Sequence, residues 1–129
     1  MSRPALLVVI EHGYRGSAEV QFSDLLYVCR GLHSRLGGVD LVLRGPAVSF
    51  AVQAEPLAPP RIGARLLEAV PDPRRSLLDL LAAGVGTWAD EADLIDCGFA
   101  ADRLISGVVA ADGAELAARW PEYQGVWFL

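Results

Sequence analysis

The run Ala5-Leu6-Leu7-Val8-Val9-Ile10 is unbroken, apolar and of strand length. It does not alternate, so it predicts a parallel strand buried on both faces. From residue 18 to residue 36 the apolar positions Phe22, Leu25, Leu26, Cys29, Leu32 and Leu36 recur in steps of three and four, one face of a helix, which Gly37-Gly38 stops. A second strand is predicted over 39–44, broken by Gly45-Pro46, with a short helical turn over 47–52. Strand, helix and strand in this spacing form a βαβ unit. Residues 55–61, with three prolines nearby, read as a loop. Helices are then predicted over 62–70 and 74–83, separated by Pro71-Asp72-Pro73. A third strand covers 85–89, a short helix 91–97, a turn 99–104, a weak fourth strand 106–110, a helix 112–120 and a terminal strand 126–129. No repeat or internal boundary interrupts this alternation, so residues 1–129 read as one α/β domain.

Composition adds one question to that picture. The 129 residues are 53% hydrophobic with mean hydropathy +0.34, rich for a small domain. A doubly covered sheet explains part of this, and a self-association surface explains the rest. Net charge is −5 and Arg74-Arg75 is the one basic doublet, which excludes a nucleic-acid footprint. Every basic side chain other than the histidines is arginine, so no lysine is available as a Schiff-base nucleophile. No signal peptide or membrane span is read from the chain, and two cysteines make no disulfide framework. A cytoplasmic protein with free thiols, no cofactor and no metal is the expectation.

Four stretches together resemble the DsrE/DsrF-like family, which includes the TusD-type sulfur-relay proteins. They are a strand and Gly-containing loop (11–17) before a long helix; strand then Gly-Pro (39–48); "LDLLAAGV" (78–85); and "GFAADRLISGV" (98–108). The resemblance covers nearly the whole chain. It implies a three-layer α/β/α sandwich with a five-stranded parallel sheet in the order 4-3-2-1-5. It also implies trimers or hexamers, sometimes dimers, and a sulfur-relay partner protein. Active members carry sulfur on a cysteine in the loop after the third strand. Aligned on Gly84-Val85 and on Gly98, that position in this sequence is Asp90.

The candidate chemistry follows from that difference. A carboxylate cannot carry persulfide, so the active site reads as degenerate. Cys97 is the one substitute nucleophile. It lies seven residues on, roughly 10 Å along a regular helix. The negative helix end and Asp96 oppose a charged sulfur there, and a structural thiol is the plainer reading. Cys29, on the apolar helix face, reads as core. The best ligand-site candidate is the first loop, with His12, Gly13, Arg15, Gly16 and Ser17 between a strand end and a helix start, where free amides favour a small anion. A glycine-permitted turn explains the same residues. Asp90, with Glu91 and Asp93, either caps a helix or faces a pocket at the strand ends. Metal binding at Asp90 would need His12 or Glu11. His33 is expected to meet its helix's C-terminal dipole. Trp88, Trp120, Tyr123, Trp127 and Phe128 are core or interface. The residues favour an accessory or small-ligand-binding protein over an enzyme. A sulfurtransferase using Cys97 and a structural subunit of a hetero-oligomer are the alternatives.

Overall fold

The computed structural model describes residues 4–12, 25–55, 61–66 and 72–129. Strand β1 (Leu6–Ile10) leads to helix α1 (Leu25–Arg35) and strand β2 (Val39–Leu43). A 3-10 helix (Gly45–Ala51) follows, then two short strands, β3 (Arg61–Ile62) and β4 (Arg65–Leu66). Helix α2 (Pro73–Ala82), strand β5 (Thr87–Asp90) and helix α3 (Glu91–Asp96) come next. Strand β6 (Val108–Ala111), helix α4 (Gly113–Ala118), a 3-10 turn (Trp120–Glu122) and strand β7 (Gly125–Phe128) complete the chain.

Five strands form one parallel sheet in the order β6-β5-β2-β1-β7. Counted by the main strands this is 4-3-2-1-5, the order the family resemblance implies. β1 and β2 are central and every one of their residues is buried, as an apolar run without alternation requires.

The pleat divides the core in two. Leu6, Val8, Ile10, Val39, Leu41, Leu43 and Ala89 point to one face. There they meet Leu26 and Cys29 of α1, Leu77 and Leu80 of α2, Leu94 of α3 and the 3-10 residues Val48 and Phe50. Each such aliphatic side chain contributes about 1.5–3 kcal/mol by leaving water. Cys29 is fully buried, in keeping with its place on the helix's apolar face. Leu7, Val9, Val42 and Ala111 point to the other face, covered by Leu116 of α4 with Trp88, Trp120, Tyr123 and Val126. The second layer is thin because α4 is six residues long and has to span from β6 at one edge to β7 at the other.

One predicted element is corrected. The helix expected over 62–70 is absent from its described part: Arg61–Ile62 and Arg65–Leu66 pair antiparallel around a turn. Gly63 adopts φ +62°, a left-handed conformation that turns the chain and cannot continue a right-handed helix. Residues 67–70 lie outside the described region, as do 18–24 of the first predicted helix. His33 stands in the last turn of α1. Its Nδ1 accepts the Val39 amide at 3.0 Å, which ties the end of α1 to the start of β2.

Candidate functional site

Because all five strands run parallel, their carboxyl ends share one edge, where ligands of open α/β sheets bind. Glu11 and His12 follow β1 there, Arg44 and Gly45 follow β2, Asp90 ends β5, and Gly113 opens α4 after β6. The Arg44 guanidinium pairs with Glu11, its Nε donating to Oε1 at 2.7 Å and its Nη2 to the same oxygen. It also lies 5.3 Å above the ring of Phe128, and Trp120 meets that ring edge-on at 5.5 Å.

Asp90 is the N-cap of α3. Its Oδ1 accepts the Asp93 amide at 3.1 Å, satisfying a donor the helix start leaves unpaired. Its Oδ2 lies against Gly113, where an added Cβ would stand only 2.8 Å from it. Asp93 in turn accepts the Gly45 amide at 2.7 Å through Oδ2. Glu11, Asp90 and Asp93 are thus bonded to Arg44 or to backbone amides, and Asp93 ties α3 to the end of β2. Val9, Val42, Arg44, Asp90, Leu116 and Trp120 line a cavity of about 10 Å³ beside them, room for roughly one water molecule.

Of the residues singled out in the sequence, His12 is exposed at the end of β1 and Asp90 is half-buried at the end of β5. Gly13, Arg15, Gly16 and Ser17 lie outside the described residues. Cys97 is exposed at the opposite end of α3 from Asp90, and its amide donates to the Asp93 carbonyl at 3.0 Å. The two thiols are unlinked. Among the described residues, no three His, Cys, Asp or Glu side chains converge as metal ligands would. No helix among them is long and apolar enough to cross a membrane.

A second polar group was not anticipated. Asp40 interrupts the apolar strand β2 and is 8% exposed. Its Oδ2 accepts the Tyr123 hydroxyl at 2.5 Å, and its Oδ1 accepts the Gly86 amide at 3.2 Å. Burial and the neighbouring Asp40 charge push the Tyr123 phenol well above its ordinary range. The signal available in the sequence was a charged residue among the apolar residues of the predicted second strand.

No protein-family model matches the chain, and no curated protein matches it. Solved structures do. The ychN protein from E. coli superposes with a TM-score of 0.72 at 21% identity, over 98% of this chain and 100% of that one. MTH1491 from Methanobacterium thermoautotrophicum, a protein of unknown function, gives 0.67 at 16% identity over 98% and 100%. BT1422 from Bacteroides thetaiotaomicron, also of unknown function, gives 0.60 at 14% over 97% and 95%. At these identities the likeness is one of fold, and the fold is DsrE/DsrF-like.

Proposed function

We propose that this chain is a DsrE-like accessory or small-ligand-binding protein that works beside intracellular sulfur relay without carrying persulfide itself. One observation supports this most. At the end of β5, where the family resemblance implies a reactive thiol, Asp90 stands with one carboxylate oxygen bonded to the Asp93 amide and the other packed against Gly113. Sulfur transfer needs a thiolate as nucleophile, and a carboxylate does not supply one. Cys97, a helix length away, has no place at that edge.

The ligand or partner engages the loops after β1 and β5. Arg44, which follows β2 between those two strands, is a cation at this edge, and a small anion binds by exchanging with Glu11 for its guanidinium. Arg15, from the first loop, adds to the attraction. The protein also self-associates, as a trimer or hexamer or as a dimer. Trp127 and Phe128 are exposed side by side on the edge strand β7, apolar surface that a second copy of the chain would cover.

Thermal melts with thiosulfate, sulfite and phosphate test the binding role, since a ligand of the folded state raises Tm by mass action. At least one anion is expected to raise Tm, and Arg44→Gln to remove the rise. No rise with any of them contradicts the small-ligand role. Sedimentation equilibrium is expected to give a multiple of the 13.8 kDa chain mass. The exposure of Cys97 favours a second reading, a sulfurtransferase using that thiol. Sulfur transfer lost in Cys97→Ser would establish it.

A further inference from the structure

Strand β7 lies at an edge of the sheet and pairs with β1 on one side only. The amides of Gly125 and Leu129 donate to the Ala5 and Val9 carbonyls at 3.3 and 3.0 Å. Successive residues of a strand turn their backbone groups to opposite sides, so those of Val126 and Phe128 face away from β1. Among the described residues these outward groups have no hydrogen-bond partner. Folded chains usually blunt such an edge with a charged residue or a proline, and Gly125-Val126-Trp127-Phe128 has neither. Trp127 is 45% exposed and Phe128 52%, whereas β6, at the opposite edge, exposes Val109 as its one large apolar side chain.

We infer that β7 pairs with the β7 of a second copy of this chain, antiparallel about a two-fold axis at Trp127. The inference rests on the self-association proposed above and names its surface. With the axis there, Val126 stands opposite the partner's Phe128, and Phe128 opposite the partner's Val126. Each outward amide then meets an outward carbonyl, so both strands satisfy their open sides at once. The two Trp127 residues meet at the non-hydrogen-bonded position, where Cα atoms lie about 4.5 Å apart and side chains are nearest.

The side chains agree with this register. Trp127 is in register with Val8, so the two indoles meet on the face of α1 and α2. Val126 and Phe128 are in register with Leu7 and Val9, so they meet on the face of α4. Every cross-strand pair is apolar, the kind that stabilises a sheet. Each copy carries a net charge of −5, yet none of that charge lies in this strand to oppose its mate. A strand that is its own complement needs no partner of different sequence, and the two-fold closes the assembly. Phe128 also lies under the Arg44 guanidinium at 5.3 Å, so the pairing borders the carboxyl edge of the sheet.

The test is sedimentation velocity of the full chain and two variants, with circular dichroism to check the fold. The wild type is expected to form an assembly with an even number of copies. Val126→Pro removes an outward amide and leaves the ladder to β1 intact. Trp127→Glu sets like charges opposite each other. Each is expected to halve the assembly, dimer to monomer or hexamer to trimer, with the dichroism unchanged. If Val126→Pro fails to fold, Trp127→Glu still decides. In a Cys97→Ser background, Trp127→Cys is expected to give a disulfide-linked dimer on mild oxidation, since facing Cα atoms at that position are within reach of a disulfide. Phe128→Cys, whose mate is Val126, is expected to give far less. A monomeric wild type would overturn the self-association and this pairing with it. An odd-numbered assembly, an assembly unchanged in Trp127→Glu, or equal cross-linking at 127 and 128 would overturn the pairing and leave the self-association standing.

Discussion

Single side chains set the character of both ends of the sheet. Asp90 holds its place through two contacts of different kinds, a hydrogen bond to the Asp93 amide and steric contact with Gly113. Asp90→Ala should lower stability by about 1 kcal/mol, the usual cost of a lost N-cap. Gly113→Ala should destabilise the wild type, because its new Cβ would need the space of Asp90 Oδ2. In an Asp90→Ala background the same change should be neutral or stabilising, since the clash is gone and alanine favours helix. Chemical denaturation of the four proteins measures this, and strict additivity would contradict the contact.

Tyr123 makes a separate case at the same scale. Tyr123→Phe leaves the buried Asp40 with one donor fewer and should cost about 1–3 kcal/mol. Its phenol is held protonated in the folded state above the ordinary tyrosine value of 10.0. The unfolded chain therefore loses that proton first as pH rises past 10.0, and stability falls there. The fall should be smaller in Tyr123→Phe. No lysine titrates in the same window, since the chain has none. An identical alkaline profile in both proteins would remove Tyr123 from the account.

Among the elements, α3 is short, yet it is tied to the end of β2 by one side chain. Asp93 accepts the Gly45 amide, which starts the 3-10 helix. Asp93→Ala should cost about 1–3 kcal/mol, the penalty for a buried or half-buried donor left unpaired. It should also speed hydrogen exchange at the Gly45 amide while leaving the central strand amides protected. β1 was legible in the sequence because burial on both faces makes an unbroken apolar run, and glycine and proline stops marked the other strands. The residues 61–66 were misread because the leucine spacing outweighed one glycine whose φ turns the chain back. Asp90 as a cap was legible, since an acid before a short helix is a local signal. The pairs Glu11 with Arg44, Gly45 with Asp93 and Asp40 with Tyr123 were not, because they join positions 33, 48 and 83 residues apart.

For the molecule as a whole, the sheet separates two chemistries by strand direction. The carboxyl edge carries the Asp90 network, in which acids are bonded to backbone amides or to Arg44. The amino edge carries the buried acid Asp40, bonded to the Tyr123 hydroxyl and the Gly86 amide. The thin α4 layer lets both ends meet solvent while the other face stays closed by α1, α2 and α3. The order of the strands was foreseen through the family resemblance, because apolar runs and glycine stops mark the elements but not their neighbours. The most direct measurement of the central claim is intact mass after exposure to a persulfide donor and then to an acceptor thiol, comparing the wild type with Cys97→Ser. The account predicts that no adduct of about 32 Da is passed to the acceptor and that the two proteins behave alike. A wild-type adduct that is handed on and disappears in Cys97→Ser would contradict it.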